Sequence, residues 1–128
     1  MKNLFLFPLL LLTYLCIAQQ PSSASIIGKP RKFGNLLVAQ YDFPKVMNWS
    51  DAKIACAELG DGWRLPTKDE LNSLYLNKYE IGFFTNDGYW SSTEVDNSNA
   101  WLQFFSTGYQ NNGVSKNNKF DVRAIRSL

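Results

Sequence analysis

Histidine is absent from the whole of this 128-residue sequence. That removes the commonest metal ligand and the side chain that most often serves as acid or base near neutral pH. Cysteine is almost as scarce, with Cys16 and Cys56 only. Charge of either sign never accumulates: 13 Lys and Arg stand against 11 Asp and Glu, for a net +2, and no block of like charge occurs. Nothing in this pattern marks a nucleic-acid groove or a polybasic membrane face. Long apolar runs are missing too, apart from one near the start.

That run, Leu4 to Leu15, is rich in Leu and Phe, broken only by Pro8 and Thr13, and preceded by Lys2. It falls short of the ~20 residues that a membrane-spanning helix requires. With Cys16-Ile17-Ala18 offering small residues where a signal peptidase reads, the sequence predicts a secretory signal peptide over 1–18 and export to the periplasm, the cell surface or the medium. Lipidation of Cys16 is the alternative, disfavoured by the bulk of Leu15 before it. Residues 19–32, a mixture of Ser, Pro, Gly and Lys, are expected to form a flexible leader, and residues 33–128 the folded domain. Once cleaved after Ala18, the chain retains Cys56 alone, so no intramolecular disulfide can form.

The chemistry of helix ends organises the next stretch. Asn48 with Asp51 three residues on predicts a capped start, and Ala52, Ala55, Cys56 and Leu59 follow at i, i+3, i+4 and i+7, one face of a helix. Gly60 and Gly62 end it. Thr67 and Glu70 form a T-x-x-E capping box for a second helix, whose inner stripe is Leu71, Leu74 and Tyr75. The connecting "GDGWRLPTKDEL" then reads as a hinge, with Trp63 and Leu65 plugging the core and Arg64 placed to bond the last carbonyls of the first helix. Leu36 to Tyr41, Tyr89 to Thr93, Ala100 to Phe105, Tyr109 to Ser115 and Phe120 to Arg126 are strand candidates. In the third of these, Trp101, Gln103 and Phe105 face opposite to Leu102 and Phe104, and Thr107-Gly108 turns the chain into the fourth. The expected class is α+β with antiparallel pairing.

"GWRLPTKDEL", "YWSSTE", "AWLQFF" and "FDVRAIR", in this order and at these spacings, closely resemble the Lcl C-terminal-domain-like family of exported bacterial proteins. They are also similar to related bacterial domains with a "GW-LP … WSS … VR-VR" signature. The resemblance runs from about Asn48 to Arg126. It implies a C-type-lectin-like domain in which two short helices flank a small twisted antiparallel sheet, with Trp63, Leu65, Pro66, Trp90 and Trp101 as packing anchors. Trp101, beside a polar loop, is the anchor best placed to reach a ligand. The resemblance further implies a disulfide position left half-filled. Lectin-like folds commonly tie the first helix to the final strand, and some relatives carry Cys where this chain has Ala124. Cys56 and Ala124 are therefore expected to be neighbours, with Cys56 a buried, unreactive thiol.

A lectin-like fold raises calcium-dependent sugar binding. The oxygen-rich cluster here is Glu94, Asp96, Asn97 and Asn99, with Asp87 nearby. The Glu-Pro-Asn or Gln-Pro-Asp loop and the Trp-Asn-Asp strand of sugar-binding C-type lectins are both missing, and a solvated loop explains the same residues. No metal or other cofactor is expected. Formylglycine-generating oxidases share a related fold but depend on a pair of cysteines, so no enzyme is expected either. What remains is a non-catalytic binding module for an extracellular glycan or surface protein. Its candidate ligand-binding residues are Trp101, Tyr109, Gln110, Asn111, Asn112 and Asn117, since Tyr and Asn combine rigid amphipathic area with adaptable hydrogen bonding. The alternative is an accessory structural subunit of an envelope or adhesive assembly with no small ligand of its own.

Overall fold

A computed structural model describes residues 22–128. The expected signal peptide, its cleavage site and Cys16 lie outside the described residues. Folding begins inside the stretch expected to be a flexible leader. Helix α1, Ser23–Ile27, is capped by the Ser22 side chain, which accepts from the Ser25 N–H. Ile26 is buried, and the carbonyls of Ile26 and Ile27 accept from the N–H groups of Tyr41 and Gln40. Two adjacent isoleucines with a sheet to cover outweighed the loop-like composition around them. Strand β1, Arg31–Phe33, follows and turns through Gly34 and Asn35 into β2, Leu36–Val38.

The two helices start where their caps predict. Helix α2, Trp49–Glu58, has Asn48 as N-cap, its side chain accepting from the Asp51 N–H at 2.9 Å. It buries Trp49, Ala52 and Cys56. Helix α3, Lys68–Leu76, carries the full reciprocal capping box between Thr67 and Glu70 and buries Leu71 and Leu74. A one-turn helix α4, Lys78–Ile81, extends from it. The hinge between α2 and α3 buries Trp63 and Leu65 as expected. Arg64 does something else. Its guanidinium grips Glu70 with two bonds of 2.7 and 2.9 Å and reaches Ser127 Oγ at 3.2 Å. Ionised Glu70 is a stronger acceptor than the neutral carbonyls ending α2, and the planar fork matches a carboxylate.

Strands β3 (Gly88–Glu94), β4 (Asn99–Phe104) and β5 (Gln110–Ser115) form one antiparallel sheet in that order. The chain turns between β4 and β5 at Gly108, where φ is +82° and an added Cβ would lie 2.3 Å from the Tyr75 ring, so only glycine fits. The second sheet has the order β1-β2-β6, with β6 confined to Ile125–Ser127. The strand expected over Phe120 to Arg126 is thus mostly irregular. Its backbone pairs in turn with Met47, Phe43, Ala39 and Arg64, crossing between sheets instead of lying in one. Alternation survives the crossing: Phe120, Val122 and Ala124 pack in one core cluster with Cys56, Trp63 and Trp90, while Ile125 joins a second with Val38, Leu71 and Phe105.

Between the two clusters lies a buried ionic network. Arg123, only 1% exposed, donates to Asp42 Oδ1 at 2.7 Å, to the carbonyls of Ala39 and Gly82 at 3.2 Å and to that of Phe83 at 2.8 Å. The Tyr89 hydroxyl donates to the other Asp42 oxygen. Burial pushes the Asp42 carboxyl above its ordinary range against the pull of Arg123, and pushes the Tyr89 phenol up as well. So buried a guanidinium is tolerable only with its donors occupied, and this one ties its own segment to residues 39–42 and 82–83.

Candidate functional site

The face of the β3-β4-β5 sheet against α3 is built by matching two periodicities. Along β4 and the residue after it, Trp101, Gln103 and Phe105 recur every second position; along α3, Lys68, Asn72 and Tyr75 recur at helical spacing. They meet in pairs. Tyr75 packs edge-on against Phe105, with centroids 5.5 Å apart. Gln103 Nε2 donates to Asn72 Oδ1 at 2.9 Å, and Lys68 Nζ lies 3.9 Å from the centre of the Trp101 ring. The row grades from a fully buried Phe105 through a fully buried amide to a half-buried indole. Gln103 is satisfied inside by Asn72, the Gly108 carbonyl and Gln110.

Both neighbouring strands are irregular at the level of Trp101. Opposite it, β5 inserts an extra residue: Ala100 pairs with Val114 and Leu102 with Asn111, which leaves Asn112 and Gly113 facing one residue. On the other side β3 shifts register between Trp90 and Glu94. Ser91 Oγ donates to the Trp101 carbonyl at 2.7 Å, and Asn111 Oδ1 accepts from the Gly113 N–H at 2.8 Å, which fixes the bulge. Bulges of this kind bend a strand and re-aim its side chains, and they concentrate beside functional sites.

The six residues expected to touch a ligand are therefore distributed unevenly. Strand register sets Asn112 opposite Trp101 at the bulge, pairs Gln110 with Gln103 one step along the same face, and pairs Asn111 with Leu102, whose side chain faces the other way. Gln110 is committed inward, its Nε2 donating to the Lys68 carbonyl at 2.9 Å, so it braces the site and leaves Asn112 more open. Tyr109, 62% exposed, stands at the turn before β5. Asn117 lies past the other end of β5 in an exposed turn, eight residues further along the chain, and the structure does not bring it to the others. Lys68, Asn72 and Gln103 belong to the site without having been expected there. Local sequence carries no signal for the first two, because a helix faces the sheet only through tertiary packing; the alternation of β4 did signal the side on which Gln103 lies.

At the end of the sheet next to Trp101, the oxygen-rich loop between β3 and β4 is already engaged. Lys116 Nζ sits 3.0 Å from Glu94 Oε1, 2.8 Å from the Asp96 carbonyl and 3.2 Å from that of Asn97, and 4.3 Å from the Trp49 ring centre. The Asp96 carboxylate accepts from the N–H groups of Ser98 and Asn99, bonds that hold its pKa below the usual range. These oxygens face an ammonium and their own loop amides, and no group of three or more potential His, Cys, Asp or Glu ligands converges among the described residues. Cys56 is fully buried and free; burial raises its thiol to about 12, which leaves no thiolate for nucleophilic chemistry at neutral pH.

No curated protein matches this chain by sequence. The structure is similar to that of botrocetin, at a TM-score of 0.58 and 12% identity over 79% of this chain and 98% of that one. It is similar also to the snake venom toxin convulxin, at 0.61 and 13% over 79% and 96%. EMS16, an antagonist of the collagen receptor integrin alpha2beta1, gives 0.56 and 11% over 77% and 97%. Identities this low establish the fold alone, and the fold is C-type-lectin-like. The family described as the Lcl C-terminal domain matches residues 25–126, from the second half of α1 into β6. The chain belongs to the Lcl C-terminal domain family.

Proposed function

We propose that this chain is an exported, non-catalytic binding module that recognises a glycan or a surface protein outside the cell, through the bulged face around Trp101. The observation that carries the reading is the double irregularity at Trp101, a partly buried indole fixed between two bulging strands, with Asn112 opposite it and Asn111 bracing the bulge. An indole edge flanked by amides supplies a stacking surface together with donors and acceptors, the combination that polar, ring-shaped ligands require. Export is supported by the apolar run 4–15 in the sequence; among the described residues no helix is long and apolar enough to cross a membrane. A partner role is supported from outside the chain: one similar structure is botrocetin in complex with the von Willebrand factor A1 domain.

The test is a glycan array together with a pull-down from cell-surface extract, each run with wild type, Trp101→Ala, and Asn111→Ala combined with Asn112→Ala. Saturable binding weakened at least tenfold in both variants, with the double Asn variant melting like wild type, is the expected result. Binding that both variants retain in full overturns the assignment to this face.

A further inference from the structure

Away from the residues of that face, the segments flanking β1 and β2 border a cleft of about 550 Å3 lined by Lys29, Arg31, Lys32, Gln40, Ile81 and Phe83. None of its lining residues is acidic. Three cations therefore line it together with the apolar side chains of Ile81 and Phe83. Arg31 is partly occupied, donating to the Glu80 carbonyl, while Lys29 and Lys32 have no ion-pair partner among the described residues.

The Phe83 ring is 64% exposed, and Tyr41, 40% exposed, packs edge-on against it at 5.2 Å. Phe83 also has φ +64°, a left-handed conformation that a bulky residue adopts only under strain. The fold enforces it from beneath, through the Arg123 bonds to the carbonyls of Gly82 and Phe83. Asn or Gly would occupy this position with less strain. An exposed ring held in place at a cost to stability has its use outside the core.

The backbone adds a directional element. β1 is an edge strand, and Phe33 pairs with Leu36 around the two-residue turn. In such a hairpin the closing pair is hydrogen-bonded and the next is not, so the N–H and C=O of Lys32 point to the free edge. We propose that this cleft and edge dock an extended acidic peptide segment of a partner protein. Its backbone would meet Lys32, its carboxylates Lys29, Arg31 and Lys32, and an apolar side chain the Phe83–Tyr41 pair. A sugar would need fixed polar acceptors, but the Gln40 Oε1 is taken by the Lys29 N–H at 2.8 Å, and a concave site suits a flat bilayer poorly.

Fluorescence polarisation of the peptide Glu-Leu-Glu-Phe-Glu-Leu-Glu, fluorescein-labelled, against the full chain tests this, with Lys replacing Glu in a control peptide. Saturable binding of the acidic peptide alone, at least tenfold weaker in 300 mM than in 50 mM NaCl, is expected. Phe83→Asn should weaken it at least tenfold while melting within a few degrees of wild type, and Lys29→Glu with Lys32→Glu should abolish it. Absence of saturable binding up to 1 mM, equal binding by the variants, or sedimentation with phosphatidylglycerol vesicles in place of peptide binding would each overturn the proposal.

Discussion

The Arg64–Glu70 pair offers a measurement in which the direction of the effect with pH is as diagnostic as its size. Glu70 holds two duties at once. Its Oε1 accepts from the Thr67 N–H at 2.8 Å to complete the α3 capping box, and both its oxygens accept from Arg64. The Arg64 backbone in turn exchanges bonds of 2.8 and 2.9 Å with Ile125, so the pair ties the start of α3 to β6. The Arg64 bonds, helped by the Thr67 N–H, lower the Glu70 carboxyl from 4.5 to about 2. A carboxylate whose pKa is lowered on folding adds stability in full above its unfolded value, and loses it as pH falls through the folded one. The window is therefore about 4.5 down to about 2. At 1.36 kcal/mol per unit the ceiling is about 3.4 kcal/mol. The Arg64 and Glu70 side chains are 38% and 23% exposed, so solvent screening reduces this to about 1–2 kcal/mol. Glu70→Gln keeps an oxygen for the Thr67 N–H and removes only the charge. For a domain of this size it should lower Tm at pH 7 by about 5–10 °C. Circular dichroism melts of both proteins at pH 7, 4 and 2.5 give the gap between them, from which the upward shifts that burial imposes on Asp42 and Asp121 largely cancel. The gap should narrow steadily below pH 4.5. A gap unchanged at pH 2.5 would refute the electrostatic account and leave Glu70 as a packing residue.

Two further outcomes separate core from surface. Trp63→Ala should cost about 3–5 kcal/mol by urea denaturation, because the indole is 5% exposed in a packed cluster, whereas Asn111→Ala with Asn112→Ala should change stability by less than about 0.5 kcal/mol. Ala124→Cys, made in an oxidising compartment, should pair with Cys56, since both are fully buried in one cluster; no free thiol should remain in a denaturing thiol assay, and stability should rise by up to about 4 kcal/mol.

What the sequence made legible follows from how local each signal is. The starts of α2 and α3 were readable because an N-cap is a contract among four consecutive residues, and Asn48 and Thr67 keep it in the structure. Strand alternation was readable for the same reason, so that Leu102 and Phe105 fell into different clusters as expected. The Arg64 contact was misassigned because several acceptors lay within reach in sequence, and only the packed hinge selects Glu70 among them. Arg123 and Asp42 lie 81 residues apart, and no periodicity links them. The candidate site shows the same boundary more sharply. Trp101 and Asn112 could be singled out by residue type, but their apposition depends on a bulge that only strand register reveals, and Lys68 reaches the indole only because α3 crosses β4 there. Residue chemistry can thus nominate members of a binding face. Which of them act together is decided by long-range pairing, and on that ground Asn112 stays with Trp101 while Asn117 does not.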